Sequence, residues 1–448
     1  MKKIYKTVWY VLFMVAVLTA CSKESAEMID DSRLTLAQNL VVDMTNDTFI
    51  TTTACFTSEL ASQLDETILK NGWDVTVKDL GRHIAHHSVQ GVVDGEYIIV
   101  TVLEEYENSG LKITFAYNEQ NEIAGINLNY AVIEKPLVSN DVYEEVAMTL
   151  GTSLLLDAVL TLPKGEKNPP VVLLVHGSGS TDKNESIFAN KPFEDIAVGL
   201  AKRGIATFRY DKRYYTYPQE AEKLAENITV QDEVLYDVTA GIDLLSKLDK
   251  INTDKIYVLG HSLGGSLTSA IAYENTAVRG IISVAGTLRP LYEISYDQNK
   301  AIEEHINNGD FDAEITESVT SQMIQVEKDI KTLRGDLENI SNEEILLGLP
   351  AGYQKSLKKY AGENFIDKID IPVLILQGTA DFQVYADKDF ILWENALHGR
   401  DNAVLKLYEG LNHLMMPTNG KQDISEYQIK GTVSAQVLDD IANFIIQQ

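Results

Sequence analysis

Six short apolar runs in the last two-thirds of the chain constrain its fold more than any other feature. They are VVLLVHG (171–177), ATFRYD (206–211), KIYVLGHS (255–262), GIISVAG (280–286), PVLILQG (372–378) and AVLKLYEG (403–410). Most are nearly continuous and rich in β-branched residues, the pattern of strands buried on both faces. Amphipathic stretches such as FEDIAVGLAKRG and QDEVLYDVTAGIDLLSKL lie between them. Strand–helix alternation of this kind predicts an α/β unit: a mostly parallel sheet with helices on both faces. It begins at Pro136, where EEVAMTLG and TSLLLDAVLTLP read as a leading hairpin. The gap between the fourth and fifth runs is too long for a simple crossover. It holds the helical stretches AIEEHINNG and AEITESVTSQMIQVEKDIKTLR, and Ser341 with Glu344 reads as a capping box opening another helix. An insertion at about 288–370 is therefore expected as a helical lid.

In a parallel sheet, reactive groups gather beyond the carboxyl ends of the strands. The third run ends in Gly260-His261-Ser262-Leu263-Gly264. One reading is a tight turn with Ser262 capping the next helix. The other is a nucleophile elbow, G-x-S-x-G, in which small flanking residues let the backbone turn sharply beneath the serine. The other strand ends favour the elbow. PVLILQG leads to Asp381, AVLKLYEG leads to His413, and the order Ser, Asp, His is that of an α/β-hydrolase triad. VVLLVHG leads into Gly177-Ser178-Gly179, where a backbone N–H is available for an oxyanion hole. Asp387 rivals Asp381 but reads as the start of the following helix. His176 and His261 read as structural. Asp182, Lys183, Asn184 and Glu185 either fix the oxyanion loop or form a solvated turn.

The motifs HGSGSTDKNE (176–185), RYDKR (209–213), GHSLGG (260–265), LQGTADFQV (376–384) and GLNHL (410–414) carry a resemblance. Residues 136–448 resemble α/β-hydrolases of the dienelactone-hydrolase and serine-aminopeptidase-like group. Residues 33–135 resemble a small cystatin- or NTF2-like α+β domain of unknown function that precedes such hydrolases in bacteria. The resemblance implies an α/β-hydrolase fold with Ser262 as nucleophile, His413 as general base and Asp381 as its orienter. It implies an oxyanion hole from the N–H groups of Leu263 and Ser178, with no cofactor and no metal. In one place the chain departs from its relatives. After RYDKR they continue with glycines and a serine, whereas here Tyr214, Tyr215 and Tyr217 follow. These tyrosines either line the substrate pocket or form a packed surface loop.

Within 33–135, apolar residues recur at helical spacing from Leu34 to about Leu69, and alternation then takes over in EYIIVTVLEEY, LKITFAY and GINLNYAV. His83, His86 and His87 have the look of a metal cluster. GRHIAHHSVQG reads as a strand, however, in which only His83 and His87 share a face, about 13 Å apart. Cys55 reads as a packed core thiol.

The chain opens with Lys2, Lys3 and Lys6 and an apolar stretch, Val8–Leu18, short for a membrane span. LTAC (18–21) resembles the lipobox of bacterial lipoproteins. This implies a signal peptide (1–20), a diacylglyceryl thioether on Cys21, a tether (21–32), and an exported catalytic domain anchored to the membrane by lipid. Loss of residues 1–20 takes three lysines and no acid from a chain of formal charge −28, leaving −31. Such acidity argues against nucleic-acid partners and against electrostatic membrane binding.

The expected partner is a small ester or acyl substrate, and the expected activity is hydrolysis of a carboxylic ester through an acyl-enzyme. An aminopeptidase-like amide hydrolase is an alternative, with Glu293, Glu303 or Glu304 as anchor for an α-ammonium. Acyl transfer is another. A surface binding protein without turnover would be expected to have lost a triad residue, and none is lost.

Overall fold

The computed structural model describes residues 31–448 apart from 79, 225–226 and 309–312. The expected signal segment, Cys21 and the tether up to residue 30 lie outside the described residues. Among the described residues no helix is long and apolar enough to cross a membrane.

Two sheets organise the chain. The first is a four-stranded antiparallel meander: β1 (His83–Asp94), β2 (Tyr97–Tyr106), β3 (Gly110–Tyr117) and β4 (Ile123–Ala131). Alternation along β2 and β3 buries Val100, Val102, Ile113 and Phe115 on one face. Against that face pack the helix Asp31–Thr45, through Ala37, Leu40, Val41 and Met44, and the helix Glu66–Val77, through Leu69 and Trp73. The helical periodicity before residue 70 is thus broken into separate helices. Asp65 caps the last of them by accepting from the Ile68 N–H, which turns Leu69 and Trp73 inward and leaves Ile68 half-exposed. Cys55 is free, packs at the edge of this core, and has its thiol pushed up by burial.

The second sheet has eight strands. Its hairpin is β5 (Tyr143–Leu150) and β6 (Leu156–Pro163). Then follow β7 (Val171–Val175), β8 (Ala206–Tyr210), β9 (Ile256–His261) and β10 (Val278–Val284). A two-stranded ribbon, β11 (Ile345–Leu346) and β12 (Leu349–Pro350), lies in the insertion, and β13 (Val373–Gly378) and β14 (Ala403–Tyr408) complete the large sheet. The order is β14-β13-β10-β9-β7-β8-β6-β5, with β14 through β8 parallel and the hairpin antiparallel. β7, β8, β9 and β13 are buried throughout because both faces are covered. One cover holds Phe193, Ile196, Val437 and Ile441, and the other holds Val238, Ile242, Leu267 and Ile271. The architecture is the α/β-hydrolase fold that the motif resemblance implied, with the parallel sheet the strand–helix alternation predicted, preceded by a small β-rich domain.

β7 sends its chain to β8 on one side, and β8 returns across β7 to β9 on the other. β9 in turn leads on to β10, away from β8, so the side to which the connections run reverses between the parallel strands β7 and β9, the position where open α/β sheets bind ligands.

The insertion after β10 contains the helices Leu291–Asn307, Ala313–Arg334 and Ala351–Lys359. The capping box expected at Ser341 and Glu344 does not open a helix. Those residues form a turn leading into β11 and β12, whose reversal uses positive φ at Leu347 and Gly348, and the next helix starts after Pro350. Local capping chemistry is satisfied there as a hairpin approach instead.

Candidate active site

The elbow is built by lack of space. A Cβ on Gly260 would lie 2.1 Å from the Gly264 oxygen, and one on Gly264 would lie 2.2 Å from the Val175 oxygen. Neither glycine takes positive φ; Ser262 does, at φ 53° and ψ −115°. The strain thus sits on the serine, and the glycines serve close approach rather than left-handed backbone. Ser262 N–H donates to Val284 O (2.9 Å) and Gly264 N–H to His176 O (3.1 Å), which ties the elbow to β10 and to the oxyanion loop. Leu263 begins the helix Leu263–Glu274, so its N–H has no partner inside that helix.

Asp381 and His413 meet across 32 residues, with His413 Nδ1 2.8 Å from Asp381 Oδ2. Asp381 is fully buried at the side chain, and its oxygens also accept from Gln377 Nε2 (2.9 Å), Gln383 N (2.8 Å) and Val384 N (2.9 Å). A buried carboxylate is tolerable when its lone pairs are filled in this way. With Nδ1 committed to Asp381, Nε2 is the ring nitrogen of His413 left over. Ser262 Oγ makes no hydrogen bond in this unliganded geometry; such bonds commonly tighten only with substrate bound. His261, next to the serine, closes the arrangement: its Nε2 lies 3.0 Å from His413 O, and the two rings are 4.7 Å apart.

The loop after β7, where the sequence reading expects the oxyanion hole, is held by its own downstream turn. Glu185 Oε1 accepts from Gly177 N–H (2.6 Å), Asp182 accepts from Ser186 N–H (2.8 Å), and the His176 ring contacts Asp182 O (3.0 Å). The other Glu185 oxygen is 2.9 Å from His261 Nδ1, close enough for an ion pair but out of line for a hydrogen bond. Burial pushes the Glu185 carboxyl up, and His261 overcomes that and holds it below the usual range. Burial alone would depress His261; the Glu185 carboxylate raises it. For His176 burial outweighs the pull of the Glu185 carboxylate and lowers it to about 4. Lys183 N–H donates to Asp211 (2.7 Å), Lys183 Nζ reaches Glu134 (2.7 Å), and Asn184 accepts from Arg209 (3.0 Å). All four residues from Asp182 to Asn184 and Glu185 are therefore bonded, not a solvated turn. Ser178 is exposed, and its N–H has no partner among the described residues.

Asp387 lies exposed in the first turn of the helical segment after Asp381, away from the imidazole. The three tyrosines separate. Tyr217 packs against the core and its hydroxyl donates to Leu155 O (2.9 Å), so it staples the β5–β6 turn rather than lining a pocket. Tyr215 is half-exposed, and Tyr214 is buried with an unpartnered hydroxyl. Glu293 is paired with Arg334 and Glu303 with Lys300, which neutralises two of the candidate ammonium anchors. A broad concavity lined by Asn252, Asp254, Arg279 and Gln448 sits at the amino ends of β9 and β10, the wrong end of the sheet for this chemistry.

The histidines of β1 correct the sequence reading. Irregularities between His83 and Ala85 and between His86 and Ser88 break the strict alternation, so His83 and His86, not His83 and His87, share one partner. His83 Nε2 lies 2.7 Å and His86 Nδ1 2.9 Å from the two oxygens of the buried Glu104. Among the described residues no group of three or more His, Cys, Asp or Glu side chains is arranged to hold a metal ion.

Sequence reasoning missed several supporting residues. Gln377 was visible as the polar residue in an otherwise apolar strand run. Asn412, whose Oδ1 accepts from Leu414 and Met416 N–H and whose amide donates to Glu426, shapes the His413 loop. Lys212 lies in the RYDKR stretch without a spacing that marks a task, and nothing in the sequence singles out Glu233 or Tyr353.

A strained serine after β9, a histidine–carboxylate pair after β13 and β14, and free N–H groups after β7 are the parts of an α/β-hydrolase. Comparison with known proteins agrees. A family model described as BD-FAE matches residues 158–395, and one described as a protein of unknown function (DUF3887) matches residues 37–126. The esterase EstD of Thermotoga maritima is 30% identical over 418 residues, covering 91% of this chain and 94% of that protein. Solved structures that resemble it include Est1E from Butyrivibrio proteoclasticus, with 20% identity, TM-score 0.43, and coverage of 67% of this chain and 99% of that one. Another is a puromycin-hydrolyzing peptidase of Mycobacterium tuberculosis, with 17% identity, TM-score 0.45, and coverage of 81% and 48%. The chain belongs to the BD-FAE family of the α/β-hydrolase superfamily, and it is a hydrolase.

Proposed function

We propose that the protein is a serine hydrolase of carboxylic esters that works through an acyl-enzyme. The observation that carries this reading is the Asp381–His413 pair beside a serine held at positive φ. Ser262 Oγ attacks the acyl carbon while its proton passes to His413 Nε2. Asp381 keeps the ring in the Nδ1–H tautomer and stabilises the imidazolium. The N–H groups of Ser178 and Leu263 receive the carbonyl oxygen as it becomes an oxyanion. Collapse breaks the bond to the alkoxide, which leaves with the proton from His413. Water, deprotonated by the same nitrogen, then releases the acid and restores Ser262. The ester preference rests on the name of the relative EstD, and the pairing of Glu293 and Glu303 with basic residues counts against an aminopeptidase-like anchor.

Ser178 and Leu263 are the assigned oxyanion donors. In the cell the enzyme is exported and anchored by lipid on Cys21. The test is turnover of p-nitrophenyl esters of graded acyl length by protein beginning at residue 22. Wild type is expected to turn over and Ser262→Ala to lose about 10⁴-fold or more of kcat. Wild-type turnover by Ser262→Ala would overturn the triad.

A further inference from the structure

The oxyanion donor at Ser178 depends on a peptide plane that glycine leaves free to rotate. In a trans peptide the C=O and N–H point in opposite directions. Whatever holds Gly177 O therefore aims the Ser178 N–H. Gly177 O is held by Lys212, whose Nζ donates to it at 2.9 Å from the loop after β8. At the other end of the glycine, Glu185 takes the N–H. A stiffer residue at Gly177 would crowd its surroundings, since a Cβ there would lie 3.1 Å from Ser262 Cβ and 3.2 Å from Glu185 Oε1.

Lys212 is an unusual choice for this task. Its side chain is only 4% exposed, and burying an ammonium is costly unless it is paired. The pairing comes from Glu233, with Nζ 2.6 Å from Oε1, on the π-helical turn Gln231–Leu235. The other Glu233 oxygen accepts from the Tyr353 hydroxyl, on the helix Ala351–Lys359 of the insertion. Tyr353 is itself buried, and that burial, reinforced by the charge of Glu233, holds its phenol in the neutral, donating form. A continuous set of contacts thus runs from the insertion through Tyr353, Glu233 and Lys212 to Gly177 O.

We infer that Lys212 is a positioning residue for the oxyanion hole: by binding Gly177 O it fixes the Gly177–Ser178 peptide with its N–H aimed at the substrate oxygen, and Glu233 and Tyr353 couple that aim to the seating of the insertion. A buried ion pair kept only for stability would be replaceable by apolar residues of similar volume, often at no loss. The contact to Gly177 O is the part that apolar residues cannot supply. The inference rests on the serine-esterase reading, in which the Ser178 N–H meets the oxyanion.

The experiment compares Lys212→Met with the double variant Lys212→Met/Glu233→Leu, which removes both buried charges. For each, kcat, KM, the melting temperature and inhibition by a trifluoromethyl ketone, which forms a tetrahedral oxyanion adduct on Ser262, are measured. Deleting an oxyanion donor outright costs roughly 10²–10³-fold in kcat, so misaiming one is expected to cost about 10–10²-fold. KM is expected to change less than about threefold, and ketone affinity to fall in step with kcat/KM. The double variant is expected to regain the melting temperature but not kcat. Recovery of kcat together with stability would overturn the inference, because Lys212 would then be a structural charge only. If neither variant folds, Tyr353→Phe decides: a drop of about three- to tenfold in kcat at constant KM is expected, and wild-type kcat overturns the relay. Ser262→Ala separates the two levels. Activity surviving there removes the esterase reading itself, whereas loss there with wild-type kcat in the Lys212 variants removes only this inference.

Discussion

Two regions of the molecule set histidine against a buried carboxylate, and only one of them lies beside a strained serine at the carboxyl edge of a parallel sheet. At the carboxyl edge of the large sheet, Asp381 has its oxygens filled by Gln377, two backbone N–H groups and His413, so the imidazole has one orientation and one nitrogen to spare. In the N-terminal sheet, Glu104 is shared between His83 and His86, whose side chains are about one-third exposed. Both oxygens of Glu104 are engaged with rings, and the face is an antiparallel one built from alternating residues. The same pair of functional groups gives a singly oriented imidazole in one place and a stapled strand in the other. What differs is the strand end: parallel topology gathers a strained serine, a histidine and free N–H groups at one edge, and an antiparallel meander gathers nothing comparable.

The sharpest break of this contrast is Asp381→Asn. It keeps the shape of the pair but reverses the tautomer, and kcat on p-nitrophenyl esters is expected to fall about 10⁴-fold with little change in KM. If kcat falls less than about tenfold, Asp381 is no more than the structural carboxylate that Glu104 is.

A second difference is electrostatic. His176, at the start of the oxyanion loop, is lowered by burial to about 4, against an ordinary value of 6.5. The folded protein holds it neutral while the unfolded chain protonates it. Its contribution to stability is therefore full above about pH 6.5 and is lost progressively down to about pH 4, amounting to about 3 kcal/mol. Denaturant titrations across that window are expected to show the slope in wild type and a flatter one in His176→Gln. Glu185, held low, adds a loss only below the ordinary glutamate range, while the raised His261 contributes fully below pH 6.5 and fades as the pH climbs through its folded value.

The smallest effect on catalysis is expected in the other region. The double variant His83→Ala/His86→Ala leaves Glu104 buried without its partners. A stability loss of about 1–3 kcal/mol is expected by thermal or chemical unfolding. Esterase kcat is expected to stay within about twofold of wild type, and a larger fall would give this pair a part in the reaction.

That outcome is not trivial, because the two regions touch. Ser109 Oγ donates to Phe188 O (3.2 Å), the Tyr130 ring meets Phe188 edge-on at 4.8 Å, and Glu134 pairs with Lys183. The N-terminal sheet thus leans on residues 183–188, the turn that holds the oxyanion loop. Its contacts run through Ser109, Tyr130 and Glu134, not through the histidines.

By itself the sequence determined what is local. Continuous apolar runs spelled buried parallel strands, alternation spelled the meander, and Ser262, Asp381 and His413 were legible because each follows a strand by a few residues. The glycines of the elbow were legible too, though the reason was not: their role is close approach, with the positive φ on Ser262. The tertiary structure decided everything that needed a partner distant in the chain. Lys212 meets Gly177 across 35 residues and Tyr353 meets Glu233 across 120, and no periodicity records such pairings. Irregularities in β1 gave His86, not His87, to Glu104, and packing made Tyr217 a staple while leaving the Tyr214 hydroxyl unpartnered. Burial patterns repeat every two or 3.6 residues and so can be read along a chain. Hydrogen bonds between buried groups depend on which elements pack together, and that is settled only when the chain has folded.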